Sequence, residues 1–177
     1  MESFYDRGSI NLNNKEKLIQ DNYSKVNQIS ARCMRVIVAI LALAFVYCYF
    51  GTDMDESVLI VFFASAIFIA LIPTLIINIL KFDHAPVTKH IVIICVCLIA
   101  TLMLTLLSTY AYPIMLFPIL LASLYYNQTL VLFASLLMSC GIVGSNYFAF
   151  RFSDVFIGFP CESFEEVMMS YVVPQIV

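Results

Sequence analysis

The sequence predicts an all-α fold: a polytopic membrane helix bundle of five spans and a partial sixth, behind an N-terminal amphipathic cytoplasmic helix. Three observations carry this. The 177 residues are 62% hydrophobic and 12% charged, where a soluble domain is about 45–50% apolar and about 25% charged. The apolar residues fall in uncharged runs near the length of about 20 that a bilayer crossing needs. Lysine and arginine are spread unevenly over the connections, in the alternation that the positive-inside rule describes.

The leader, residues 1–32, is polar, so a cleaved signal peptide is not expected. Within it Leu12, Ile19, Val26 and Cys33 recur every seven residues, and Tyr23 with Ile29 and Ser30 roughly fills a second seam. Lys15, Glu16, Lys17, Asp21 and Lys25 occupy the other faces. This is an amphipathic helix running into the first span. Its apolar stripe suits a coiled-coil dimer, a helix on the anionic inner leaflet, or packing on a cytoplasmic domain.

The bundle occupies residues 33–177. Val36–Phe50 is apolar and uncharged and, with Cys33 and Met34, approaches the length of a first span, with Arg32 and Arg35 at its start. Ser57–Leu80 is 24 residues without a charge and forms the second, with Pro73 as a kink. His90–Leu107 forms the third. Ser108–Tyr126 reads as a tight turn and a short or kinked fourth span with Pro113 and Pro118. Tyr110, Tyr112, Tyr125 and Tyr126 are placed there as interfacial anchors. Thr129–Phe150 is the fifth span, and Glu166–Val177 opens a sixth. Val167–Val177 supplies eleven residues, which cannot complete a crossing. The chain is therefore expected to be an N-terminal fragment, a truncated product or a degenerate relative of a longer protein.

Orientation follows from the charges. Arg7, Lys15, Lys17, Lys25, Arg32 and Arg35 precede the first span. The first loop, "GTDMDES", has three acids and no cation, and the second, "KFDHAPVTK", has Lys81 and Lys89. Arg151 lies beside Asp154, Glu162, Glu165 and Glu166. The rule puts the N-terminus and second loop in the cytoplasm and the loop after the fifth span outside. The expected location is the cell membrane, with the lipid bilayer as the first partner.

The spans lack reactive groups. After the first, none holds Asp, Glu, Lys or Arg between its ends. That argues against proton relays, voltage sensing and intramembrane proteolysis. No catalytic, cofactor-binding or metal-ligating residue is assigned. Cys95 and Cys97 read as core fillers, since no second ligand pair accompanies them. Asp83, His84 and His90 have poor metal spacing and read as a solvated loop. No basic stripe interleaved with aromatics supports nucleic-acid binding. Asn22-Tyr-Ser and Asn127-Gln-Thr match a glycosylation pattern, but both fall on the cytoplasmic side.

The polar groups inside the spans are mild: Ser65, Thr74, Thr101, Thr105, Ser135, Ser139 and Ser145, with Asn78 and Asn146. The two asparagines cost most to bury. With Tyr147, and Phe156 and Phe159 of the outer loop "RFSDVFIGFPCESFEE", they are the candidate ligand-binding residues. Gly141 and Ser145 form a small-xxx-small face, for packing within the bundle or for a homodimer.

The stretches "EKLIQDNYSKVNQIS", "YPIMLFPILLASLYYNQTL" and "SYVVPQI" together resemble the six-span N-terminal membrane domains of bacterial signalling proteins. The most specific part is Pro118, Ala122, Ser123, Tyr125 and Tyr126. In that family such domains precede a diguanylate cyclase, phosphodiesterase, histidine kinase or chemoreceptor-type output module. The resemblance implies a sensory domain acting on a cytoplasmic signalling partner, with no catalysis of its own. No Gly-Gly-Asp/Glu-Glu-Phe signature or kinase histidine box is present. A rival expectation is the substrate-binding integral membrane subunit of a small-molecule transporter.

Overall fold

The computed structural model describes residues 2–51, 56–82, 85–107 and 112–151, with Glu165 and Met169. Five α-helices and no strand occur among them: α1 (Glu2–Gly51), α2 (Glu56–Thr74), α3 (Thr88–Leu107), α4 (Tyr112–Ser123) and α5 (Gln128–Arg151). A π-helical turn, Leu75–Ile79, extends α2. Among the described residues, four helices are long and apolar enough to cross a membrane: α1, α2 with its π-turn, α3 and α5.

This corrects the expectation of a fourth span within residues 108–126. The segment expected to form the fourth span holds α4, of 12 residues. At about 1.5 Å per residue it is about 18 Å long, short of the roughly 30 Å hydrocarbon core. Apolar composition cannot distinguish such a returning helix from a span. The expected sixth span lies outside the described residues, apart from Met169.

α1 runs unbroken for 50 residues because no proline and no glycine occurs between Gly8 and Gly51. Its buried seam includes Asn27, Met34, Leu41 and Cys48, seven residues apart, with Val26, Ser30 and Ala31 beside it. The expected stripe is thus displaced by one position. Val26 is buried, but Ile19 and Ile29 are exposed, and Cys33 is only half-buried.

α2 answers α1 with Leu59, Phe63, Ala66, Ala70 and Pro73, continued by Ile77 of the π-turn. The spacing of four and three residues keeps these on one face. Lipid is as apolar as leucine, so close packing rather than water exclusion holds such helices together. Ala66 and Ala70 let the backbones approach, and Phe45 meets Phe63 edge-on at 5.5 Å. α3 is the axis of the bundle. Val92, Ile93, Cys95, Val96, Cys97, Ile99, Ala100, Met103 and Leu104 are all buried, and it packs against α2, α4 and α5 and more lightly against α1.

Gly141 explains how α5 reaches α3. A Cβ there would collide with the Thr101 hydroxyl oxygen, so the glycine is a close-approach position. Ser145, on the same stripe, is buried and donates to the Ile142 carbonyl at 3.0 Å. The stripe is occupied by the bundle's own packing.

Hydroxyls inside the helices bond back to their own backbone, as such groups do. Ser65 donates to Phe62, Thr101 to Cys97, Thr105 to Thr101, Ser135 to Val131 and Ser139 to Ser135, at 2.8–3.0 Å. Thr74, at the junction of Pro73 and the π-turn, is the exception: its buried hydroxyl has no partner among the described residues.

Candidate functional site

Two constructions stand out, both at the end of the bundle that carries Arg32, Arg35, Lys81 and Lys89. The first is a buried polar cluster. The short turn Leu124–Asn127 separates α4 from α5. It closes through Tyr126, whose φ of 51° reverses the chain. Asn127 then caps α5: its side-chain oxygen accepts the Leu130 N–H at 3.2 Å.

That turn drives Tyr125 inward. The Tyr125 hydroxyl donates to Asn27 Oδ1 at 2.7 Å, with both residues fully buried. Tyr23 packs a tilted ring 6.1 Å from that of Tyr125. Lys89, at the start of α3, holds its ammonium 4.4 Å from the centre of the Tyr23 ring, a cation–π contact. Burial pushes the Tyr125 phenol up to about 12, partly offset by the nearby Ser30 hydroxyl, so it is a neutral donor at physiological pH.

The expectation that Tyr125 is an interfacial anchor is corrected. Tyr125 is 1% exposed, whereas its neighbour Tyr126 is 89% exposed. A phenol can be buried wholly when its O–H finds an acceptor, and Asn27 supplies one. The missed signal is Asn27, a polar residue standing seven and fourteen positions before the apolar Met34 and Leu41.

The second construction is a basic recess of about 340 Å³, lined by Gln28, Arg32 and Arg35 of α1, by Ile77 and Asn78 of the π-turn, and by Lys81. Proline at position 73 removes a helical N–H, and the π-turn comes directly after it. An extra residue in a turn rotates the remainder of the helix by about 100°. The turn ends with Leu80 N–H on the Leu75 carbonyl and Phe82 N–H on the Ile76 carbonyl, at 3.1 and 3.2 Å. Lys81 sits between them with φ of 54°, the left-handed conformation that glycine usually supplies. Arg32, Arg35 and Lys81 form no ion pair with a described residue.

An apolar groove of about 360 Å³ lies on the opposite face of α1, between α1, α3 and α4. Ile37, Leu41, Val96, Ala100, Met103 and Phe117 line it.

The candidate ligand residues are not brought together. Asn78 lies in the basic recess. Asn146 lies near the other end of α5, buried, with its amide donating to the Ile142 carbonyl at 2.8 Å. Tyr147 is exposed. Phe156 and Phe159 lie outside the described residues, as do Asp83 and His84. His90 is exposed, 6.0 Å from the Phe133 ring. Cys95 and Cys97 are buried in α3 as free thiols.

Comparison with protein-family models, with curated proteins and with solved structures gives no match for this chain.

Proposed function

We propose that this chain is a membrane-embedded sensory or regulatory domain, oriented with its basic end in the cytoplasm, that acts on a cytoplasmic signalling partner. The observation that carries the reading is the fastening of α1. One rigid helix extends from the bundle through its basic end. Its outer part is held by Tyr125 through Asn27 and by Lys89 through Tyr23. A change in packing among α3, α4 and α5 therefore moves the latch and tilts α1 as a lever. Such a device responds only to a ligand or bilayer that favours one packing over the other.

The test uses the full chain labelled with 3-fluorotyrosine in nanodiscs of different thickness. The Tyr125 fluorine resonance is assigned by its loss in Tyr125→Phe. Two resonances whose relative intensity shifts with thickness are expected. A single resonance, unchanged in every bilayer, would overturn the lever.

The apolar groove favours one second reading, a subunit that binds an apolar solute for transport. A small molecule retained through purification, found by mass spectrometry together with an invariant Tyr125 signal, selects that reading instead.

A further inference from the structure

We infer that the recess formed by Gln28, Arg32, Arg35, Asn78 and Lys81 is a binding site for the phosphate of an anionic lipid headgroup. The inference needs only that the bundle sits in a bilayer, and it is independent of the sensory reading.

The depth is right for a headgroup. Arg35 is the last charge on α1 before the uncharged run Val36–Gly51. Lys81 directly follows Leu80, the last residue of the uncharged run that α2 and its π-turn carry. The cations therefore meet at the boundary of the apolar layer, where lipid phosphates lie. Val36 and Val46 of α1, with Leu71 and Leu75 after α2's midpoint, are exposed on the same two helices and offer surface to acyl chains.

The chemistry is also right. Gln28, Arg32 and Arg35 succeed one another at intervals of four and three, which puts them on one face of α1. Arginine presents a planar fork that pairs two N–H groups with a phosphate, and lysine adds a point charge. Asn78 contributes an amide donor of the kind that a phosphate oxygen accepts. Three like charges around one recess repel each other, and no described acid neutralises them; an oxyanion removes that repulsion. Basic pockets between membrane helices bind anionic headgroups in this way.

The backbone supports the assignment independently. A π-turn is rare and recurs at functional sites, and here it delivers Asn78. Lys81 holds a left-handed φ of 54° without being glycine. Non-glycine residues kept in that region gather at ligand clamps, and here the side chain that a glycine would lack is a cation of the recess.

The test is native mass spectrometry of the delipidated full chain in a neutral detergent, titrated with phosphatidylglycerol, phosphatidylcholine and inorganic phosphate. Phosphatidylglycerol is expected to bind on the order of a hundredfold more tightly than phosphatidylcholine, since each cation is worth roughly a factor of five. Arg32→Gln, Arg35→Gln and Lys81→Gln should each lower that preference about fivefold, and the triple variant should abolish it. Arg151→Gln, at the other end of the bundle, should leave it unchanged. All three recess side chains are exposed, so folding is not at stake. Equal binding of the two lipids, a triple variant that keeps the preference, or an equal loss in Arg151→Gln would overturn the site. Displacement of phosphatidylglycerol by millimolar phosphate would assign the recess to a soluble oxyanion and overturn the lipid.

Discussion

The Tyr125 hydroxyl donates to the Asn27 side-chain oxygen across 2.7 Å, joining residues 98 positions apart in the chain. One partner belongs to the outer part of α1, the other to the turn that closes α4 on α5. The bond fixes where α1 leaves the bundle. Tyr125→Phe removes the donor and leaves Asn27 buried in the same packing. A loss of about 1–3 kcal/mol is expected for a buried side-chain oxygen that gives up this bond. Asn27→Leu, which removes the acceptor as well, should cost little more when combined with Tyr125→Phe than alone. Unfolding of the four proteins of this cycle in mixed micelles measures the coupling. Additive losses would mean that the bond contributes nothing of its own.

Alkali should act on the same contact. The ordinary tyrosine value is 10, and burial raises Tyr125 to about 12. The unfolded chain gives up this proton near pH 10, while the folded chain keeps it to about pH 12. The neutral phenol's contribution is therefore fully present below about pH 10 and is lost as pH rises towards about 12. Absorbance titration in the near ultraviolet should show a late-titrating component that is absent from Tyr125→Phe. No change from this group is expected between about pH 6 and 9, so a midpoint in that range would refute the burial argument.

Uncharged runs make the helical membrane-type bundle legible from the sequence, and Pro73 marks the place where α2 departs from α-helical geometry. The seam of α1 is harder to read. A search for apolar heptads tracks Leu12, Ile19, Val26 and Cys33, whereas the buried seam runs through Asn27 to Met34, Leu41 and Cys48. Ser30 on that seam is satisfied by the Val26 carbonyl four residues back, but the Asn27 side-chain oxygen takes its bond from Tyr125, which is not local in sequence. The same limit applies to the recess. Arg32, Arg35 and Lys81 are legible as charges that set orientation, but their convergence depends on α1 and α2 packing side by side. The signal is available in part, since cations at the two outer ends of a helical hairpin lie at one depth.

Two glycines on α5 separate packing from propensity. A Cβ at Gly141 would collide with the Thr101 hydroxyl, while one at Gly144 meets nothing within 4 Å. Gly141→Ala should destabilise the bundle by about 1–3 kcal/mol through overpacking. Shrinking the opposing residue, Thr101→Ala, should restore most of the loss in the double variant. Gly144→Ala should instead stabilise by about 0.5–1 kcal/mol, because alanine is the better helix former. Thermal unfolding in one detergent compares these variants with the parent. Equal effects at the two glycines would refute the close approach of α5 to α3.

Lys81 sets local backbone stability against charge. Its φ of 54° costs a residue with a Cβ about 1 kcal/mol, a cost that glycine escapes. Lys81→Gly should therefore raise the melting temperature of the delipidated protein, because it relaxes the end of the π-turn. The same change removes one of three cations from the recess, so the gain that anionic lipid gives should shrink. Lys81→Gln keeps the strain and removes the charge, and it should lose the lipid effect without the gain in stability. Melting curves of the three proteins, with and without phosphatidylglycerol, resolve the two contributions. If Lys81→Gly melts below the parent in detergent alone, the left-handed geometry at this position is not strained and the end of the π-turn is held by the lysine side chain itself.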